Sequence, residues 1–225
     1  MIDFIVVAII FITACIAAKV GFIRTVYQLL SSVISLVLAF FIYPIIEQML
    51  KLTPLYEGIK TWIREILPEV GNVGLQAQAN IIEDTLKWMP NLITDQIIKN
   101  NNPEIYQLLG VSNLIEYIVT SVANLCIMGI AIVICFVVIK IGLTVGINIL
   151  DLVAKLPILK TANKWAGFVL GLIKGVFIIW LICLIIPFLI MIPQFSELKS
   201  LIEQSFLMEL FYNHNFILQI ITSLK

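Results

Sequence analysis

Apolar positions run almost without interruption through four stretches of the chain, residues 2–18, 25–46, 117–139 and 166–192, and the third run can extend to residue 150. A helix crossing a bilayer needs about 20 predominantly apolar residues, because each advances ~1.5 Å across a hydrocarbon core of ~30 Å. Four spanning helices are therefore expected. Between the second and third, and again after the fourth, apolar residues recur instead at helical spacing among polar ones. In LYEGIKTWIREIL (55–67), Leu55, Tyr56, Ile59, Trp62, Ile63, Ile66 and Leu67 share one face, and Pro68 with Gly71 ends the run. Asn102 followed by Pro103 and Glu104 marks another helix start, with proline at the first helical position. In the tail, Ser196 is placed to cap a helix whose stripe is Leu198, Leu201, Ile202, Met208, Phe211 and Tyr212. The short amphipathic helices either pack together as a small cap or lie along the membrane surface.

The expected fold is thus an all-α membrane protein with four transmembrane helices arranged as two like-oriented hairpins. Residues 1–46 form the first hairpin, 47–116 an extracytoplasmic amphipathic segment, 117–192 the second hairpin and 193–225 a C-terminal amphipathic helix. Composition agrees: 61% of the 225 residues are hydrophobic and 12% charged, against roughly half and a quarter in soluble domains. The opening run carries Asp3 and no basic stretch ahead of its apolar core, so it reads as a retained helix and not as a secretory signal, despite the ITAC sequence at 12–15.

Net charge is zero, which gives no bias toward nucleic acid, and what matters is where the charges sit. Segment 47–116 holds nine acids and five bases. Lys19 and Arg24 lie between the first two helices, and Lys140, Lys155, Lys160, Lys164 and Lys174 lie between or within the last two, facing the single acid Asp151. Bases concentrate in short cytoplasmic loops. The expected threading is multi-pass, with both termini outside.

The last span, in NKWAGFVLGLIKGVFIIW (163–180), sets Gly167, Gly171 and Gly175 one turn apart and places Asn163, Lys164 and Lys174 on the same arc. Small residues four apart allow helix backbones to approach closely, so this face is read as a docking face. On the second helix, Gly21, Arg24, Thr25, Gln28, Ser31, Ser32, Ser35 and Ala39 share a side, which resembles the same design. The third helix contributes Ser121, Asn124, Ala131, Cys135, Gly142 and Gly146 on one face. The expected packing residues are accordingly Gly142, Gly146, Gly167, Gly171 and Gly175. Gly21, Arg24, Gln28, Ser31, Ser32, Ser35, Lys164 and Lys174 would form a polar turn or vestibule toward the cytoplasm. Lys140, nearly opposite the Gly142/Gly146 face, is either an interfacial lysine reaching the headgroups or, if the helix runs to about residue 150, an intramembrane cation suited to anions.

MIDFIVVAII, KVGFIRTVYQLL (19–30), INILDLVAK (147–155) and NKWAGFVLGLIKG (163–175) together resemble the colicin V production protein (CvpA) family. The likeness rests on Asp3, on the glycine-basic turn Gly21 and Arg24, and on the ladder Gly167, Gly171, Lys174, Gly175; an Asp-Arg pair common before that ladder is Asn163 and Lys164 here. The long segment 47–116 is similar to that of members from Gram-positive bacteria. The resemblance implies a four-span membrane protein with a role in production or export of a colicin V-type toxin and in envelope homeostasis.

No nucleophile–base pair, metal-ligand spacing or phosphate-cradling glycine loop appears, and no catalytic residue, cofactor or metal is expected. Cys15, Cys126, Cys135 and Cys183 fall inside apolar runs and read as small hydrophobes, and His214 stands alone in the tail. The reading is a non-enzymatic membrane accessory or scaffold. Its candidate partners are the lipid bilayer, further copies of the chain and an extracytoplasmic or membrane protein. The alternative is an oligomeric channel or transporter with a cationic cytoplasm-facing vestibule.

Overall fold

The computed structural model describes residues 2–67, 75–148, 160–190, 195 and 197–223. Every regular element among them is helical. Four long helices, α1 (Ile2–Val20), α2 (Phe22–Lys51), α7 (Leu114–Asn148) and α8 (Lys160–Ile190), are long and apolar enough to cross a membrane. Between α2 and α7 lie α3 (Pro54–Ile66), α4 (Leu75–Thr85), α5 (Asn91–Lys99) and α6 (Pro103–Leu109), and the tail forms α9 (Leu198–Glu203), α10 (Phe206–Asn213) and α11 (Phe216–Ser223).

One boundary departs from expectation. The second helix runs through Pro44 to Lys51, where a 2.8 Å ion pair with Glu47 closes its last turn. In lipid no water competes for backbone groups, so a spanning helix tolerates one proline better than it tolerates fraying. The third helix takes its longer expected form and continues past Lys140 to Asn148. The tail, expected as one helix, is broken into three: Ser205 accepts the Met208 N–H at 3.2 Å to begin α10, and Asn215 Oδ1 accepts the N–H groups of Ile217 and Leu218. Side-chain oxygens at these points compete with helix continuation. Ser196, the expected cap, lies outside the described residues.

Helices consecutive in the chain are not the ones packed most closely. The α1 helix lies antiparallel along α8, α2 lies antiparallel along α7, and α2 also touches α8; α1 meets α2, and α7 meets α8, only marginally. The two expected hairpins therefore interleave, each packing on the other. The end of α1, the start of α2 and the start of α8 meet at one end of the bundle (the turn end), and α3–α6 with α9–α11 gather toward the other (the cap end).

The short helices are a cap. Ile59 and Ile63 of α3 are buried, and α3 packs on α7. Helix α6 starts as its residues dictate, with Asn102 Oδ1 accepting the Ile105 N–H at 3.0 Å and Pro103 in the first turn. Trp62 and Trp88 meet edge to face with ring centroids 5.8 Å apart. One apolar core runs from the cap through Ile118, Val122 and Ile127 of α7 to Ile179 and Ile186 of α8.

Candidate functional site

Three junctions hold the expected functional residues, beginning with the glycine ladder. A Cβ placed on Gly171 would lie 2.5 Å from Ala14 Cα, one on Gly175 would lie 2.8 Å from Ile10 Cα, and one on Gly167 would lie 2.7 Å from the Ala17 carbonyl oxygen. The backbones of α8 and α1 thus touch where side chains would stand. Hydrocarbon offers no hydrophobic drive for helices to associate, so close contact of this kind supplies the attraction. The partner face is legible only in part: Ala14, Ala17 and Gly21 are small residues three or four apart on α1 and its turn.

Gly142 behaves differently. It is exposed, and an added Cβ would meet nothing within 4 Å. The packing role expected of it is corrected: α7 turns the opposite side, that of Lys140, toward α2. The surroundings of Gly146 lie outside what the structure describes. Gly21 packs at the ladder's turn end, with φ +93°, a conformation that glycine adopts without strain. There the Asn163 side chain accepts the Phe22 N–H at 2.7 Å and so caps the start of α2 from α8. An amide oxygen accepts this bond as well as a carboxylate does, so asparagine suffices at 163.

The second junction is a polar seam in the spans. Ser31, Ser32, Ser35 and Thr25 of α2 are buried, and their hydroxyls donate to backbone carbonyls of Gln28, Gln28, Ser31 and Gly21 at 3.1, 2.8, 2.6 and 2.8 Å. Lys140 reaches in from α7 and donates to Gln28 O at 2.9 Å, Ser32 Oγ at 2.8 Å and Ser31 Oγ at 2.5 Å. Lys174 reaches in from α8 and donates to Gln28 Oε1 at 2.7 Å. Lys140 thus turns its amine toward α2. Arg24 and Lys164 are exposed near the turn end. The expected vestibule residues accordingly divide into a seam around Gln28 and a cationic rim.

The third junction locks cap to bundle. Asp3, at the start of α1, accepts the Ser205 hydroxyl at 2.9 Å and the Leu207 N–H at 2.7 Å. A carboxylate at a helix N-terminus meets unpaired N–H groups and the positive end of the helix dipole. Tyr212 donates its hydroxyl to the Trp88 carbonyl at 2.9 Å, and burial pushes its phenol up from its ordinary value. Tyr56 donates to Asn124 Oδ1 at 3.1 Å, and burial, followed by Glu57 and Glu47, pushes that phenol up as well. Both tyrosines therefore stay protonated as donors. Asn215 donates to the Trp180 carbonyl at 2.8 Å. None of these long-range pairs has a signal in local sequence. His214 is exposed at the end of α10, and Cys126, Cys135 and Cys183 are buried free thiols while Cys15 is half-buried. Among the described residues no group of three or more metal-ligating side chains comes together.

The family model described as Colicin V production protein matches residues 105–215, which takes in α7, α8, the segment between them, α9 and α10. The match leaves out α1 and α2, where Asp3, Gly21 and Arg24 carry part of the resemblance. Neither the curated proteins nor the solved structures include a match.

Proposed function

This chain belongs, through residues 105–215, to the colicin V production protein family, and from that premise we propose that it is a non-enzymatic accessory or scaffold of the bacterial cytoplasmic membrane, acting in production or export of a colicin V-type toxin and in envelope homeostasis. The bundle is the anchor and the cap is the working surface. One observation carries the choice of a scaffold over a channel: the polar face of α2 is filled. Ser31, Ser32 and Ser35 are buried, their hydroxyls donate to the backbone of their own helix, and Lys140 of α7 lies on Ser31 and Ser32, so these side chains are engaged inside the bundle.

Charge supports an orientation. Lys19, Arg24 and Lys164 sit at the turn end, and this excess of bases supports a cytoplasmic turn end with the cap and both termini outside. The cap then presents Leu108 and Phe206, 80% and 75% exposed, to an envelope partner.

Crosslinking and flux test the two parts. A photoreactive residue at 108 or 206 in native membranes is expected to capture one particular envelope protein, and reconstituted vesicles are expected to pass no anions. Anion flux that disappears in a folded Lys174→Met protein would establish the channel instead. With an impermeant thiol reagent on intact cells, a cysteine at 108 is expected to react and one at 19 to stay protected; the reverse pattern inverts the orientation.

A further inference from the structure

Lys140 and Lys174 approach Gln28 from two different helices, and their amines are unequally satisfied. An ammonium has three N–H donors. Lys140 finds three acceptors, the Gln28 carbonyl and the Ser31 and Ser32 hydroxyls. Lys174 donates, among the described residues, only to Gln28 Oε1. Two of its donors have no partner there. Yet Lys174 stands midway along the apolar window Ala162–Pro187 of its helix.

No carboxylate of the described spans answers these charges. Asp3 caps α10, Glu47 pairs with Lys51, and Glu116 accepts from Ser112, all toward the cap end. Two cations thus converge on Gln28 with only neutral acceptors, among the described residues, inside an apolar layer, where an ionised side chain is costly unless paired. Holding helices together requires neither charge, since neutral donors would satisfy the same oxygens at lower desolvation cost. Seven residues, about 10 Å of helix, separate Gln28 from the turn at Gly21. Both lysines are half-buried, not sealed, and Arg24 and Lys164 place further positive charge at the turn end, which raises the local concentration of anions.

We propose that Lys174, backed by Lys140 and oriented by Gln28, binds the phosphate group of an anionic ligand that enters the seam from the turn end. Tetrahedral phosphate oxygens accept the two spare Lys174 donors, and the negative charge offsets both amines. Two sources carry this chemistry, the headgroup of an anionic phospholipid and free inorganic phosphate. The site depends on the packing of α2, α7 and α8 and not on the accessory role, so the two readings fail separately.

The test uses the full chain purified in detergent. Native mass spectrometry counts retained dioleoyl phosphatidylglycerol against zwitterionic dioleoyl phosphatidylcholine, and thermal unfolding is followed with inorganic phosphate against chloride. Preferential retention of phosphatidylglycerol assigns the site to a lipid headgroup, and stabilisation by phosphate without lipid preference assigns it to the free anion. In either case Lys174→Met is expected to weaken binding about tenfold or more, as loss of charge-assisted bonds does, and Lys174→Arg to retain it. The proposal is overturned if the wild-type chain shows neither preference, or if folded Lys174→Met and Lys140→Met proteins bind as it does. Should Lys174→Met fail to fold, the wild-type comparison decides alone.

Discussion

The carboxylate of Asp3 accepts the backbone N–H of Leu207 at 2.7 Å, joining the first helix to a residue 204 positions later. This contact positions the tail: Ser205, held by the same carboxylate, in turn caps α10 through the Met208 N–H. Asp3→Ala is expected to free the start of α10, with faster hydrogen exchange at residues 206–210, while Asp3→Asn keeps an acceptor and loses less. Equal exchange in wild-type and Asp3→Ala proteins would show that the tail is held elsewhere.

The glycines of α8 and α7 should respond in opposite directions. Gly171→Leu drives a side chain into the backbone of α1 at Ala14, and overpacking of this kind costs about 1–3 kcal/mol or more. Gly142→Ala meets open space and gains about 1 kcal/mol of helix propensity. Unfolding in mixed detergent micelles measures both, and a Gly171→Leu protein as stable as wild type would remove the α1–α8 contact from the account.

At the turn end, Asn163 satisfies an N–H of α2 that its own helix leaves unpaired. Replacing it with leucine is expected to cost about 0.5–2 kcal/mol, whereas Asn163→Asp keeps the cap. Gly21→Ala should be harmful for a different reason, since φ +93° strains any residue with a Cβ. Thermal unfolding of the three variants separates the effects: a leucine variant indistinguishable from the aspartate variant would mean that the Phe22 N–H finds another acceptor.

Tyr212 gives the cap an alkaline limit. Burial raises its folded pKa above the ordinary value of 10.0, so the folded state holds the phenolic proton more tightly than the unfolded state does. Its contribution is complete below pH 10 and declines as pH rises from there toward the folded value. Fluorescence of Trp88, whose carbonyl accepts the Tyr212 hydroxyl, should report loosening above pH 10. In Tyr212→Phe that dependence should flatten, while stability at neutral pH falls by about 1 kcal/mol for the lost hydrogen bond. A pH response unchanged in Tyr212→Phe would assign it to another group.

Much of the architecture was legible because it rests on local sums. Hydropathy over about 20 residues marks the spans, the period of apolar residues marks α3, and Asn102-Pro103 announces α6 in chemistry confined to one turn. The glycine ladder was legible too, as a spacing within one helix. Lys140 was not, since a lysine near the end of an apolar run has the same sequence signature whether it reaches for headgroups or for serines on a neighbour. Gly142 misled for the complementary reason: a small residue on a spanning helix permits close approach without requiring it.

By itself, then, the sequence determined that the chain is a multi-pass membrane protein, that four of its helices are long and apolar enough to span, and which positions are small enough to let backbones meet. Only the tertiary structure decided that α1 pairs with α8 and α2 with α7, that Lys140 and Lys174 share Gln28, and that Asp3 holds the tail. The reason lies in the solvent. Lipid tails are as apolar as leucine, so a face turned to lipid and a face turned to another helix read alike along the chain. Partner choice depends instead on backbone approach and on hydrogen bonds between residues more than a hundred positions apart.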